Sequence, residues 1–443
     1  MKNTRAAFGP TTRAAGIGAA LLISALALGG CTAAAPTDDV TSNEDRELTV
    51  WFMQTGAFLD VTVPEVNARF EEATGAKVKV EVQQWDNIVT KLTTALSSDN
   101  PPDVVQIGNT NIQLFAANGA VRDLTDVLDE LKHGVEWNES LEAPSIVDGK
   151  VYAAPLRVST YAIAYNKQMW ADAGVTEEPE TWDEFTAALD AVKAKNPASD
   201  FSALYLAGAD WQSSMPFVYD AGGSFSKLKD GKWVADIDSA ESIKGLEQYK
   251  EFQNTYSAAS SQTASSTSPE GSSVMAELKA SATIAGNPSV IVAIEAGNPD
   301  LVGQIGSFPM PSINHPGELA PVMAAGSVVS IAAKSKNADL ATEYIKILTS
   351  PEIQQEFVAL NNGAVPVSPT YIDAIVDEVP EIQQAFYTAG KKGITLPASA
   401  GWATLEADKT LNDLFVQIAT GARSVEEATA KFADHLDDVL NAG

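Results

Sequence analysis

The sequence predicts an α/β fold of two domains, built on mainly parallel sheets flanked by helices. Three observations carry this. From Glu47 onward, short β-rich runs alternate with amphipathic helical segments, the pattern of a parallel sheet covered on both faces. The chain has 443 residues, more than one core usually organises. Its hydrophobic content of 45% calls for large cores and outweighs the disorder that a net charge of −29 would otherwise suggest.

The first 30 residues read as an export signal. A basic start (Lys2, Arg5, Arg13) precedes an uncharged stretch and then small residues. The larger apolar side chains (Leu21, Leu22, Ile23, Leu26, Leu28) span only about two helical turns, short of the roughly 18–25 residues that a retained signal anchor needs. The sequence Leu28-Gly29-Gly30-Cys31 resembles a bacterial lipobox, in which the cysteine is acylated and becomes the first residue after cleavage. Cys31 is the chain's only cysteine, so no disulfide and no cysteine-bound metal remain. The residues after it have no core-forming pattern, and 31–47 is expected to be a flexible tether.

The folded body opens with a strand, Leu48-Thr49-Val50-Trp51-Phe52-Met53. Leu59, Val63, Val66 and Phe70 then share one helical face that Gly75 ends. Val78 to Val82 alternates as a second strand, Ile88, Leu92 and Leu96 mark a second helix, and Asp103-Val104-Val105-Gln106-Ile107 reads as a buried third strand after Pro101-Pro102. Ligands of such sheets gather at the carboxyl ends of the strands. Farther on, Thr181 with Glu184 and Ser424 with Glu427 fit capping boxes, and Ser350-Pro351 gives an N-cap followed by proline. The Ser, Thr and Ala of 257–273 read as a surface loop.

Charge narrows the partners. The leader holds three of the 29 basic residues and none of the 58 acids, so its removal takes the charge from −29 to −32. Such a field repels phosphate backbones and anionic headgroups, which argues against nucleic acid. There is no Gly-x-Ser-x-Gly elbow, no His-Glu-x-x-His and no P-loop, and His133, His315 and His435 are scattered.

The order of segments resembles the extracytoplasmic solute-binding proteins of ABC importers, in the carbohydrate-binding branch that includes maltose-binding proteins. The pieces are 48–82 with Phe70-Glu71-Glu72-Ala73-Thr74-Gly75, then Pro101 to Val105, Asp148-Gly149-Lys150-Val151-Tyr152-Ala153-Ala154-Pro155, Tyr165-Asn166-Lys167 and Thr181-Trp182-Asp183-Glu184-Phe185. Leu348-Thr349-Ser350-Pro351-Glu352 and the closing Ala419-Thr420-Gly421 with Ser424 to Ala428 follow. The resemblance implies a two-lobed, type II periplasmic-binding-protein fold with the ligand cleft between the lobes. It places 48–158 with 308–362 in the N-terminal lobe and 159–307 with 363–443 in the C-terminal lobe. It also implies a monomer without cofactor or catalysis, which hands its solute to an ABC permease driven by a cytoplasmic ATPase.

Sugars present hydroxyls at the ring edge and C–H groups on the faces, so aromatic platforms and planar polar side chains suit them. The resemblance brings Gln54, Asn109, Thr110, Arg157, Trp211, Asn287 and Trp402 to the cleft, with Trp85 a further candidate and Trp51, Trp170 and Trp182 assigned to packing. Thr110 and Asn111 stand where maltose-binding relatives carry an acid and a base, and Gly286-Asn287-Pro288 lacks a tryptophan found in many relatives, so maltose is not implied. Two other readings stay open: the same fold binding a polyamine, peptide or other non-sugar solute, and a lipid-anchored glycoside hydrolase, which would need a spaced carboxylate pair.

Overall fold

A computed structural model describes residues 43–54, 58–361, 363–391 and 393–442; the expected signal peptide, Cys31 and most of the tether lie outside them. The opening unit follows the reading closely. Strand β1 (Glu47–Met53) pairs in parallel with β2 (Lys77–Gln83) and with β3 (Val104–Gly108). The helix Val63–Thr74 buries Val63, Val66 and Phe70, and Gly75 closes it at φ 75°. Its lead-in differs from a simple helix: Phe58–Thr62 forms a wider π turn ahead of Pro64, which supplies no backbone N–H.

After the hairpin of β4 (Ile146–Val147) and β5 (Lys150–Val151), β6 (Ala154–Thr160) is followed at once by β7 (Ala162–Asn166). These two strands belong to different sheets. A second hairpin, β8 (Ser226–Lys229) with β9 (Lys232–Ala235), precedes β10 (Ala282–Ala285) and β11 (Ile305–Phe308). The long β12 (Val322–Ile331) and the short β13 (Gly393–Ile394) complete the set. The larger sheet runs β13-β12-β3-β1-β2, with β6 also on β12. The smaller sheet is β10-β7-β11. The chain therefore passes between sheets from β6 to β7 and again from β11 to β12.

This is a two-lobed α/β architecture, with two departures from a pair of mainly parallel sheets, the first being that β12 of the larger sheet pairs antiparallel with β3 and β6. In the second, the smaller sheet's named strands pair antiparallel, with β7 central, and parallel pairing there is limited to the bridges Ser202–Ala280 and Tyr205–Thr283. Each sheet has its own aromatic core. Phe52, Phe70 and Tyr344 pack beside the larger, with Phe70 and Tyr344 rings 5.5 Å apart. Tyr165, Trp170, Phe185 and Phe308 pack beside the smaller, with Tyr165 and Trp170 rings 4.6 Å apart. Burying one such phenylalanine contributes roughly 1.5–3 kcal/mol.

The Thr181 box forms as read, while at Ser424 one of the two bonds of a capping box forms. Thr181 and Glu184 form a reciprocal capping box on Trp182–Lys195, and the Ser424 hydroxyl accepts from the Glu427 N–H at 3.2 Å at the start of Val425–Leu440. Asp103 ties strands together, accepting from the Thr49 N–H at 2.9 Å and the Ser335 hydroxyl at 2.6 Å. The segment 257–273 is mostly exposed, as a surface loop, with a few buried anchor points. It contains the 3-10 turn Ala259–Thr263, and its buried Ser261 hydroxyl accepts from Gln253 Nε2 at 2.9 Å.

Candidate functional site

The in-phase parallel pairing of β1 and β2, Met53 opposite Gln83, brings the chain ends after both strands to one edge of the sheet. Gln54 stands there, exposed, its N–H donating to the Gln83 carbonyl at 2.7 Å. Trp85 follows β2 and is 43% exposed, with its ring 3.9 Å from where a Cβ on Gly108 would sit. Gly108 ends β3, so Thr110 and Asn111 complete this edge.

Asn109 and Thr110, adjacent in sequence, have different surroundings. Asn109 is buried and spends its side chain on the backbone, donating to the Ser140 carbonyl at 3.3 Å and accepting from the Gly326 N–H at 3.3 Å. The Thr110 hydroxyl donates to Glu406 Oε2 at 2.9 Å and accepts from Asn111 Nδ2 at 3.3 Å. Glu406 lies on the helix Trp402–Asp408, whose Trp402 and Leu405 belong to the core of the smaller sheet. This one bond joins the β3 edge of the larger sheet to the other core. Burial raises the Glu406 carboxyl above its ordinary range, against the stabilising pull of the Thr110 hydroxyl and the Trp402 indole.

The three expected aromatic platforms have different fates. Trp85 keeps an open face, whereas Trp402 is completely buried and Trp211 nearly so. Their rings meet edge to face at 5.9 Å, and Trp402 also packs edge-on against Phe225 at 5.1 Å. The Trp402 Nε1–H points toward the Glu406 carboxyl but makes no hydrogen bond of good geometry. In this conformation neither ring presents a face to a solute.

Arg157 and Asn287 do come together. Arg157, on β6, and Asn287, just before the helix Ser289–Gly297, line a cavity of about 600 Å³ with Ser159, Gln383 and residues 363–365. The Arg157 guanidinium sits 5.9 Å from the Phe58 ring centroid, and burial lowers its pKa. A second cavity of about 270 Å³ lies on the smaller sheet's side, lined by Tyr161, Tyr205, Asp210 and Gln212. There the Tyr161 hydroxyl donates to Gln212 Oε1 at 3.2 Å, and its ring lies against Gly286. Burial raises the Asp210 carboxyl, while its bonds to the Ser213 N–H and hydroxyl oppose that rise.

Ser159, Tyr161, Asp210, Gln212 and Glu406 were not among the residues expected from sequence. Tyr161 and Ser159 could have been found from their position at the β6–β7 crossing. Asp210 and Glu406 carry no local signal that separates them from the chain's other acids. No group of three or more His, Cys, Asp or Glu side chains able to hold a metal occurs among the described residues.

A two-lobed fold with polar side chains converging from both sheets defines a class of binding protein, and the comparisons agree. The family model for bacterial extracellular solute-binding proteins matches residues 57–355, and the chain belongs to that family, the solute-capturing components of ABC transporters. The diacetylchitobiose-binding protein DasA of Streptomyces coelicolor is 35% identical over 363 residues, 82% of each chain. In structure the chain is similar to the sugar-binding protein MalE of Xanthomonas citri, at a TM-score of 0.76 and 21% identity over 89% of this chain and 98% of that one. It is also similar to a tagatose-bound ABC transporter solute-binding protein of Thermotoga lettingae, at a TM-score of 0.69 and 23% identity over 89% of this chain and 100% of that one. These relatives are binding proteins rather than enzymes. No described helix is long and apolar enough to cross a membrane.

Proposed function

We propose that this protein captures an N-acetylated amino-sugar disaccharide of the diacetylchitobiose type and delivers it to a membrane permease. The observation that carries the reading is the cavity shared by Arg157 and Asn287, one from the larger sheet's β6 and the other from the helix lead after the smaller sheet's β10. Its volume of about 600 Å³ suits a small oligosaccharide. The 35% identity to a diacetylchitobiose-binding relative across 82% of the chain supports the choice of sugar.

The working parts follow from this reading. Trp85 offers a stacking face, Gln54 and Thr110 offer polar groups at the strand ends, and Arg157 and Asn287 offer donors from the two sides. Trp211 and Trp402 support the cleft from beneath as packed aromatics, and Asn109 shapes the backbone after β3. The lobes divide as 48–158 with 308–362 and 159–307 with 363–443. The sheet change between β6 and β7 supports the first boundary, while the pairing of β13 with β12 ties the last segment back to the larger sheet. A solute that touches both lobes favours the closed state by its extra contacts there, and the permease reads that state. The protein performs no chemistry, works as a monomer, and is held at the outer membrane face through lipid on Cys31.

Calorimetric titration of the purified protein with diacetylchitobiose tests the reading. Saturable binding at one site is expected. Absence of binding to this and every other saccharide refutes it.

A further inference from the structure

Arg157 is the cation that lines the cavity it shares with Asn287. Among the described residues no carboxylate pairs with it and no hydrogen bond engages its guanidinium; its one defined neighbour is the Phe58 ring, itself buried. Desolvation is the sole perturbation on it. Arg157 is half-buried and lines the cavity, so its unmatched donors are open to a ligand there. Nearby, Asn287 Oδ1 accepts from the Ser289 N–H and hydroxyl, which leaves its Nδ2 to donate. The same cavity is also lined by Val292, Ala293 and Ala296 on the helix Ser289–Gly297, with Val292 64% exposed. The cavity thus combines donors with small apolar side chains.

We infer that Arg157 and Asn287 read an acetamido group, the carbonyl oxygen accepting from both and the methyl resting on Val292, Ala293 and Ala296. This rests on the sugar-binding reading and adds the residues that select the substituent. The acetamido group has the two ends the walls require, an acceptor and a methyl. A carboxylate would satisfy Arg157 but leave the apolar wall unused, and it would approach a chain whose net charge is −29. A site built to hydrogen-bond a substituent rejects the analogue that lacks it, because its donors are then left unpaired.

The test is a titration panel of diacetylchitobiose, cellobiose, which carries hydroxyls in place of both acetamido groups, and cellobiouronic acid, which carries a carboxylate. The unmodified protein is expected to prefer diacetylchitobiose over cellobiose by about 100-fold or more. Arg157→Met keeps a side chain of about the length of the arginine stem and removes its donors. It is expected to weaken diacetylchitobiose about 10- to 100-fold while changing cellobiose less than about threefold. Val292→Tyr, at an exposed position that leaves the core intact, should fill the apolar wall and weaken diacetylchitobiose about 10-fold or more by steric exclusion. An equal loss for both neutral sugars in Arg157→Met, with Val292→Tyr silent, overturns the inference and makes Arg157 a structural residue. Tightest binding of the uronic acid, lost on Arg157→Met, overturns it in favour of an anion site. Sugar binding without acetamido preference refutes this inference and the choice of sugar but leaves sugar capture standing, and failure of every sugar refutes the underlying reading with it.

Discussion

Trp402 separates packing from recognition, and its replacement by alanine has a magnitude that the structure fixes. The ring is fully buried, edge to face with Trp211 at 5.9 Å and with Phe225 at 5.1 Å. Truncating a buried tryptophan costs about 3–5 kcal/mol, and the two aromatic contacts push toward the upper end. Against that, the Nε1–H is buried without a well-formed hydrogen bond, and its removal recovers about 1 kcal/mol. The expected loss is therefore about 4 kcal/mol, or roughly 8–16 °C in the midpoint of a lobe-sized cooperative unit. Calorimetry on Trp402→Ala measures it. Trp85→Ala is the control: with a ring that is 43% exposed, it should move the midpoint by less than about 2 °C while weakening sugar binding about 3- to 10-fold. A Trp402→Ala protein with an unchanged midpoint and much weaker sugar binding would refute the reasoning, because the ring would then have to leave the core to meet the solute.

Two further outcomes test other parts of the account. Burial raises Glu406 from its ordinary 4.5, so the folded protein holds this proton more tightly than the unfolded chain does. Its contribution to stability is greatest below that ordinary value and is lost as pH rises through the folded value. Glu406→Gln keeps an acceptor for Thr110 and removes the titration, so denaturant unfolding at pH 4 and pH 7 should find the variant gaining on the parent at the higher pH; the opposite trend contradicts the burial argument. Cys31→Ser should release the protein from cells in soluble form with its sugar affinity unchanged, as fractionation and titration would report, and retention at the membrane contradicts the lipid anchor.

The first strand–helix–strand–helix–strand unit was legible almost residue by residue, because β1, β2 and β3 each show their period or buried run and the helices between them show one apolar face. Capping at Thr181 and Ser424 was equally legible, since those bonds form within four residues. The antiparallel pairing of β7 with β10 and β11 was not, because strand direction across a long connection leaves no mark in either strand's own residues. The tryptophans show the same limit. Trp85 and Trp402 both follow short loop-like segments, and only the neighbours supplied by distant chain, Gly108 for one and Trp211 with Phe225 for the other, separate an open face from a buried one. Asn109 was placed at the cleft by the family resemblance, yet Ser140 and Gly326 take up its hydrogen bonds. Arg157 and Asn287 were accessible only through the family's order of segments, which encodes the tertiary proximity that local pattern lacks.

The central claim is that a sugar is the solute, and a thermal-shift series on the purified protein tests it most directly. A ligand of the folded state stabilises by mass action, about 2.7 kcal/mol at a hundredfold excess over its dissociation constant. Diacetylchitobiose is predicted to raise the midpoint in this concentration-dependent way, with spermidine and free amino acids leaving it unmoved. A midpoint raised by the polyamine and untouched by every saccharide would contradict the account.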